Sequence, residues 1–178
     1  MQRIAKFHKV SFEQFKKDWF NTFAFTSNDP YNEEQVREIY DNIKLPKRAT
    51  LGSAGYDIFS PIDMTLLPDD TIKIPTGIRV WMEENWVLKC YPRSGLGFKF
   101  RLQLDNSVGV VDSDYFYSDN EGHIFAKITN DTKDGKTVEI NAGDGFMQGI
   151  FVEYGITIDD DATEKRNGGI GSTTKNNK

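Results

Sequence analysis

The stretch that decides the fold class is residues 71–92, TIKIPTGIRVWMEENWVLKCYP. It consists of short runs rich in β-branched and aromatic residues, separated by Pro, Gly and polar residues. This is the pattern of strands joined by turns. We therefore predict strands at residues 71–74, 77–82 and 86–91.

The same pattern of short apolar runs separated by turn residues continues on both sides of this stretch, from residue 45 to residue 154. Glycines and prolines interrupt the chain about every eight to twelve residues, and Asp134-Gly135 predicts a hairpin turn. Further strands are predicted at residues 123–129, 136–140 and 146–154. Strands joined in this way predict a mainly β fold, either a sandwich or a jelly-roll-like barrel.

Before residue 45 the apolar residues are spaced as on helices. They recur at helical intervals in residues 11–24 and form one stripe in residues 32–43. Ser11 with Gln14 and Asn32 with Gln35 match the capping-box pattern of helix starts. The stripes consist of Phe12, Phe15, Trp19, Phe20 and Phe23 in the first helix, and of Val36, Ile39, Tyr40 and Ile43 in the second. We interpret both stripes as packing surfaces against a core or a neighbouring subunit, and not as a cofactor site.

Length and composition indicate a single domain, residues 1–178, in a reducing compartment. The 22 Lys and Arg against 27 Asp and Glu give a formal net charge of −5, which argues against a nucleic-acid partner. Cys90 is the one cysteine, so no internal disulfide can form and we expect a cytoplasmic location. No apolar run approaches the roughly 20 residues that span a bilayer, and no membrane partner is expected.

Several familiar site types are excluded by the residues present. Two histidines and one cysteine are too few for a structural zinc site or a Cys-His catalytic pair. Residues 112–117 begin like a calcium loop, but Phe116 and Tyr117 stand where an oxygen ligand and a turn glycine belong. Residues 168–173, GGIGST, lack the lysine of a phosphate-binding P-loop.

Two short segments have the composition of an anion site. Arg93-Ser94-Gly95 offers a guanidinium, a hydroxyl and an open backbone side by side, which suits phosphate oxygens. Taken alone, this tripeptide is better explained as an ordinary turn that carries a surface arginine. Residues 166–173 add a second arginine and glycines whose backbone amides can approach an anion closely. They belong to a polar tail, residues 155–178, which we expect to be a mobile arm that can fold over the same ligand.

Five short segments, in this order and spacing, resemble the homotrimeric dUTPase (deoxyuridine triphosphatase) family. They cover most of the chain from residue 45 to residue 173, and the second and third match the family pattern almost residue for residue. The segments are AGYD at 54–57, PRSGLG at 92–97, Asn106 with GVVDSDY at 109–115, Gly143-Asp144 with Gln148, and Arg166 with GGIGS at 168–172.

The resemblance implies a fold, an assembly and a reaction. The fold would be a jelly-roll-like distorted β-barrel of the dUTPase type, with residues 11–43 as a two-helix N-terminal insertion. The assembly would be a homotrimer with shared active sites, in which the arm closes over a neighbour's nucleotide. The reaction would convert dUTP to dUMP and pyrophosphate. Mg²⁺ would assist it, held by substrate phosphates and waters with no direct protein ligand.

The resemblance also assigns a role to each matching residue. Asp112 corresponds to the carboxylate that activates water for attack on the α-phosphorus. Because an aspartate is a weak base, positioning and charge neutralisation must supply most of the acceleration. Asp57 would support the site. The phosphate-binding residues would be Arg93, Ser94, Gly95, Gln148, Arg166, Gly171 and Ser172. The residues that contact uracil or deoxyribose would be Asn106, Gly109, Val111, Tyr115 and Ile170.

Four features depart from the family pattern. Gly145 stands where an arginine is usual, and Ile170 stands where a phenylalanine usually covers the uracil ring. Residues 116–121 make a longer loop after the third segment, and the helices of residues 11–43 are an insertion.

Two alternatives follow from these observations. A dCTP deaminase of the same fold uses a glutamate on the strand after the third segment, whereas residues 124–128, IFAKI, contain no acid here. A non-catalytic relative that senses nucleotide or docks a partner is the second alternative. Gly145 and Ile170 are the features that favour it.

Overall fold

Short antiparallel strands dominate the part of the chain that the structure, a computed structural model, describes: residues 2–23, 31–164, 166 and 168. The strands are β1 (Ala5–Lys9), β2 (Lys47–Arg48), β3 (Tyr56–Phe59), β4 (Met64–Leu66), β5 (Thr71–Pro75), β6 (Ile78–Met82), β7 (Trp86–Pro92), β8 (Leu102–Leu104), β9 (Gly109–Val111), β10 (Phe125–Asn130), β11 (Val138–Ile140) and β12 (Gly145–Glu153). The helices are α1 (Phe12–Phe23), α2 (Glu33–Asn42), α3 (Ser94–Phe100) and a 3₁₀-helix (Ser113–Tyr117).

The strands form four antiparallel sheets. The largest has the order β2-β3-β12-β7-β9, and the others are β5-β10-β8, β1-β6 and β11-β4. The predicted mainly β fold is confirmed, and every predicted strand is present with ends that differ by a few residues. Within the described ranges, no ladder joins these sheets into a closed barrel.

The predicted hairpin at Asp134-Gly135 is wrong. Gly135 does adopt the left-handed conformation of a turn, with φ of 70°. The strands on either side do not pair with each other, however, because β10 pairs with β5 and β8 while β11 pairs with β4.

The main core lies between the sheets and follows the alternation that a half-buried strand requires. In β6, for example, Ile78, Val80 and Met82 are buried while Trp81 is partly exposed. The core also includes the buried thiol of Cys90 on β7. This rigid framework fixes the strand ends from which the site residues project.

The two predicted helices are confirmed and have a core of their own. Phe15 and Trp19 of α1 and Val36 of α2 are fully buried there, so the apolar stripes are packing surfaces. α2 begins with the predicted capping box between Asn32 and Gln35. No helix in the described part of the chain is long and apolar enough to cross a membrane.

The capping box predicted at Ser11 and Gln14 forms only in part. The Ser11 hydroxyl accepts from the Gln14 backbone at 3.2 Å. The Gln14 side chain, however, donates to Asp18 at 2.8 Å, and the Ser11 backbone N–H donates to Glu121 at 2.7 Å. The carboxylate of the distant Glu121 has therefore replaced the side-chain amide of Gln14 as the acceptor from the Ser11 backbone.

Candidate active site

Asp112 lies at a change of backbone structure, where β9 ends and the 3₁₀-helix begins. Because the tight 3₁₀ turn follows directly, Asp112 and Asp114 both reach the same guanidinium, that of Arg166. Arg166 donates from Nη2 to Asp112 Oδ2 and from Nε to Asp114 Oδ1, the latter at 2.9 Å. The structure thus brings together the predicted catalytic aspartate and the predicted arginine of the arm.

The ion pairs leave the two carboxylates accessible. The Arg166 side chain is only 17% exposed, whereas those of Asp112 and Asp114 are 48% and 53% exposed. The pairing of Asp114 with Arg166 was not predicted. One arginine facing two carboxylates leaves the group with a net negative charge: the guanidinium attracts an incoming anion while the two carboxylates repel it.

Tyr115 completes this group. Its ring centroid lies 5.7 Å from the Arg166 guanidinium carbon. Its hydroxyl donates to the His123 carbonyl at 2.7 Å and accepts from the Asn120 side-chain amide at 2.9 Å. Burial raises the pKa of Tyr115 above its ordinary value, although the hydrogen bond from Asn120 opposes this shift. The phenol therefore stays protonated at neutral pH and acts as a fixed wall. We call Asp112, Asp114, Tyr115 and Arg166 the Asp112 cluster.

A cleft of about 1310 Å³ borders the Asp112 cluster. Its charged lining consists of Glu83, Glu84, Lys89, Asp112, Asp114, Asp160, Glu164 and Arg166, while Val110 and Tyr117 are exposed apolar side chains at its edge. Ligand clefts usually combine apolar walls with a few convergent polar groups, and volumes of about 300 to 1,000 Å³ hold small molecules. The cleft is therefore large enough for a nucleotide.

A second group of predicted residues lies where β3, β12 and β7 run side by side. The ladders place Gln148 of β12 opposite both Asp57 of β3 and Tyr91 of β7. Arg93 Nε lies 3.2 Å from Asp57 Oδ1, and Gln148 Nε2 donates to the Pro92 carbonyl at 3.4 Å. We call Asp57, Arg93, Ser94 and Gln148 the Arg93 cluster.

The position of the Arg93 side chain explains why residue 145 is a glycine. A Cβ atom built on Gly145 would lie 3.1 Å from both Cδ and Nη1 of Arg93. Arg93 Nη1 also approaches the Gly145 carbonyl at 3.5 Å. Arg93 therefore occupies the space that a side chain at position 145 would need, and its guanidinium supplies positive charge beside the place where the family pattern has an arginine.

The strand register separates the two clusters within one chain. Val111 of β9 pairs with Leu88 of β7, so Asp112 lies near the start of β7. Arg93 follows Pro92 at the other end of the same strand. The backbone positions of Asp112 and Arg93 are thus about six residues apart along β7, or roughly 20 Å at about 3.3 Å per residue. One chain does not bring its own Arg93 to its own Asp112.

The predicted uracil-binding residues lie in and after the turn between β8 and β9. Asn106 is exposed in this turn, and Val111 turns its side chain into the core. Gly109 faces Cys90 so closely that a Cβ atom there would lie 3.1 Å from Cys90 Cβ. In this structure, close packing against Cys90 therefore explains the glycine at position 109.

The remaining predicted residues either lie on the surface or lie outside the described residues. Ser94 and Gly95 are exposed at the start of α3, a helix that was not predicted. Ile170, Gly171 and Ser172 fall outside the residues that the structure describes. The predicted mobility of residues 155–178 stays a prediction, and residues 161–164 have no regular structure.

The acids of the described residues do not form a metal cage. No group of three or more His, Cys, Asp or Glu side chains is close enough to hold an ion in that part of the chain. Asp112 and Asp114 nevertheless offer oxygen atoms, which a hard cation such as Mg²⁺ prefers, at the edge of the cleft. This donor set fits an ion that takes most of its ligands from phosphates and water.

Comparisons with known proteins agree on one family. The sequence profile of the dUTPase family matches residues 41–174 of this chain. The deoxyuridine 5'-triphosphate nucleotidohydrolase of Lactococcus lactis is 42% identical over 134 residues, which are 74% of this chain and 88% of that protein. Because the family match begins at residue 41, α1 and most of α2 precede it.

Solved structures give the same result. The dUTPase of Streptococcus mutans is 39% identical, with a TM-score of 0.58 over 67% of this chain and 91% of that one. A variant dUTPase from phage phi11 of S. aureus, which coordinates a structural Mg(II) ion, is 25% identical. Its TM-score is 0.56 over 70% of this chain and 92% of that one.

Proposed function

Since this chain belongs to the dUTPase family, we propose that it hydrolyses dUTP to dUMP and pyrophosphate in a site shared between copies of the chain. The observation that carries the proposal is the Asp112 cluster, in which a half-exposed carboxylate and an arginine line one large cleft and a buried tyrosine lies next to the arginine. This reaction would supply dUMP and keep dUTP away from DNA synthesis. We place it in the cytoplasm, in keeping with a single buried thiol.

In this proposal Asp112 is the general base. Its carboxylate accepts a proton from water while the water oxygen attacks the α-phosphorus. The bond from the α-phosphorus to the α–β bridging oxygen breaks, and pyrophosphate leaves. An ionised aspartate is a weak base, so the gain comes mainly from holding the water in line with the leaving group.

Arg166 has to change partners during this cycle. In the structure it pairs with Asp112 and Asp114, which would keep the Asp112 carboxylate occupied. A triphosphate carries more negative charge than two carboxylates and offers the bidentate acceptors that a guanidinium prefers. Substrate binding would therefore draw Arg166 onto the phosphates and free Asp112 for water. Gly171 and Ser172, in the same arm, would add donors to the phosphates.

The Arg93 cluster would contribute phosphate contacts from a second copy of the chain. Support comes from the separation along β7, which is longer than a triphosphate chain. Large exposed apolar side chains give further support, because a monomer would leave them in water. Among them are Phe98 at 92%, Ile156 at 73% and Ile158 at 109% exposure. We propose a homotrimer, in which each site gathers Arg93, Ser94, Gly95 and Gln148 from a neighbour.

Tyr115, Asn106, Gly109, Val111 and Ile170 would select the nucleoside. Tyr115 is held on its hydroxyl by two hydrogen bonds, so its ring can pack on a deoxyribose but cannot move aside for a 2′-hydroxyl. The backbone of residues 106–111 would pair with the uracil edge, which presents a different pattern of donors from cytosine.

Mg²⁺ would be bound through the substrate. When bound to the phosphates, the ion would neutralise their charge and help to orient the α-phosphorus. Asp112 and Asp114 are the side chains placed to receive its water ligands, and Asp57 would act only by holding Arg93.

The test is pyrophosphate release with each deoxynucleoside triphosphate in turn, with Mg²⁺ and with chelator. We expect turnover of dUTP only, and loss of it with chelator. Asp112→Asn should lower kcat about 10² to 10⁴-fold, the usual value of a positioned base, while dUTP still binds. Ammonia release from dCTP would instead favour the deaminase, and nucleotide binding without any product would favour the non-catalytic relative. Either result would refute the proposal.

A further inference from the structure

Two features outside the family pattern contact each other in the structure. They are α1 of the helical insertion and the segment of residues 116–123, which contains the longer loop. Glu121 in that segment accepts from the Ser11 backbone N–H at 2.7 Å and from the Ser11 hydroxyl at 2.6 Å. Since Ser11 precedes the first residue of α1, Glu121 fixes the segment to the start of this helix.

A second, deeper contact lies about two turns further along the helix. Asp18 Oδ2 is 2.6 Å from Nδ1 of His123, whose side chain is fully buried. The Gly77 backbone N–H donates to His123 Nε2 at 2.8 Å, so Nε2 is unprotonated and Nδ1 carries the proton. The ring therefore donates to Asp18 in a defined orientation. Burial raises the pKa of Asp18, but hydrogen bonds from His123 and Gln14 outweigh this effect and hold the pKa below its ordinary value.

His123 connects this contact to the Asp112 cluster. The carbonyl of the same residue accepts the hydrogen bond of the Tyr115 hydroxyl. Asn120, also in the segment, donates to that hydroxyl. Both hydrogen-bond partners of the Tyr115 phenol thus lie in residues 116–123, and α1 holds this segment at two points.

The backbone of the segment needs such support. Glu121 has φ of 57°, a left-handed conformation that is costly for a residue with a side chain, and Gly122 follows with φ of 69°. A Cβ atom on Gly122 would lie 2.6 Å from the Tyr115 carbonyl oxygen. The chain therefore folds back tightly on Tyr115. The hydrogen bonds from Ser11 offset the free-energy cost of the left-handed conformation of Glu121.

We propose that Asp18 and Glu121 are positioning residues, which fix the Tyr115 ring through residues 116–123 and so set the selectivity for deoxyribose over ribose. The inference rests on the proposed function, because Tyr115 is taken as the sugar contact. It assigns the helical insertion a part in substrate selection, although α1 lines none of the cleft.

The test compares kcat/KM for dUTP and for UTP, measured by pyrophosphate release with the purified full-length protein. Asp18→Ala removes the acceptor of His123 Nδ1 and should lower the dUTP/UTP ratio about tenfold, the value of one charge-assisted hydrogen bond. Asp18→Asn keeps an acceptor oxygen and should restore most of the ratio. Glu121→Ala should lower the ratio in the same direction, with Glu121→Gln as its conservative partner.

A matched control separates positioning from general loosening of the insertion. Tyr40→Phe removes the hydrogen bond from the Tyr40 hydroxyl to the Val10 carbonyl, at 2.7 Å, within the same insertion. This hydrogen bond involves no residue of 116–123, so the substitution should leave the dUTP/UTP ratio of kcat/KM unchanged. A double-mutant cycle adds a direct test, since Asp18→Ala should have no further effect on the ratio once Tyr115→Phe has removed the phenol hydroxyl.

The outcomes distinguish the inference from the proposed function. A wild-type protein that does not hydrolyse dUTP refutes the proposed function. A wild-type protein that hydrolyses dUTP, together with a folded Asp18→Ala variant of unchanged ratio, refutes the inference alone. If Asp18→Ala does not fold, the partly exposed Glu121 decides, and an unchanged ratio in Glu121→Ala overturns the inference.

Discussion

Two impaired variants of this chain should restore activity when they assemble together. Asp112→Asn removes the proposed base, and Arg93→Ala removes a proposed phosphate contact. The Arg93–Asp57 pair is 45% exposed on the arginine side, and such pairs contribute about 0 to 1 kcal/mol, so Arg93→Ala should fold. Loss of its charge-assisted hydrogen bonds to phosphate should cost about 10- to 100-fold in kcat/KM.

The size of the recovery follows from the strand register. Because about 20 Å along β7 separates Arg93 from Asp112 in one chain, a site would take these two residues from different subunits. In a randomly mixed homotrimer, a site is intact when its Asp112 comes from the Arg93→Ala chain and its Arg93 from the Asp112→Asn chain. Each choice has a probability of one half, so roughly a quarter of the sites should be intact.

The measurement uses equal amounts of the two variants, unfolded and refolded together. Mass analysis of the intact assembly establishes that mixed trimers form. Each variant refolded alone is the control for residual activity. Pyrophosphate release from dUTP should then approach about one quarter of the wild-type rate per chain, by the same statistics.

A mixture that contains mixed trimers but stays as inactive as its parents would contradict this reasoning. The arm can be tested in the same way with Arg166→Ala and Asp112→Asn. Arg166 and Asp112 contact each other within one chain here. If the arm closes over a neighbour in the substrate complex, as we expect for the family, this pair should also recover roughly a quarter of the activity. If it closes over its own chain, no recovery will occur.

Three further predictions follow from the described contacts. Burial raises the pKa of Cys90 to about 12, so the thiol should react with a disulfide reagent at pH 8 only as fast as the protein unfolds. The pKa of Asp18 is lowered in the folded state, so the stability that its carboxylate contributes is complete above the ordinary pKa of about 3.9 and is lost as pH falls below that value. Denaturation curves of Asp18→Asn and wild type should therefore converge at low pH. Tyr117 is 71% exposed beside the cleft, and Tyr117→Ala should raise KM for dUTP several-fold if its ring covers the base, a contact worth about 1 to 3 kcal/mol.

Local patterns predicted the helices well because their determinants lie close in sequence. The Asn32–Gln35 capping box forms as expected, since both partners lie in one turn. At Ser11 the same pattern was only half right, because Glu121 reaches the backbone N–H from 110 residues away. A sequence pattern predicts the hydrogen bonds of a helix end correctly only where no distant residue forms hydrogen bonds with that end.

α3 was missed for a different reason. Its sequence, SGLGFKF, contains two glycines and has no buried residue, so neither helix propensity nor an apolar stripe marks it. The Asp134-Gly135 error is similar, because a turn can be predicted locally while the pairing of the strands around it depends on partners elsewhere in the chain.

The sequence motifs gave candidate residues for the site but not their arrangement. The five motifs identified Asp112, Arg166 and Arg93 as parts of one site. Sequence order gives no distance, however, and only the register of β9 on β7 shows that Arg93 and Asp112 lie far apart within one chain. The pairing of Arg166 with Asp114 also required the 3₁₀ turn, which no sequence signal indicated.

The helical insertion and the longer loop depend on each other for their polar groups. Without α1, the Nδ1–H of His123 would lose its acceptor, and an unpaired buried donor costs about 1 to 3 kcal/mol. Without the loop, the Ser11 end of α1 would lose the carboxylate of Glu121, and Arg79 would lose the Phe116 carbonyl that it holds at 2.5 Å. A chain that carried the loop without α1 would need another residue than histidine at position 123, since the imidazole is satisfied on both nitrogens only when Asp18 and Gly77 are both in place.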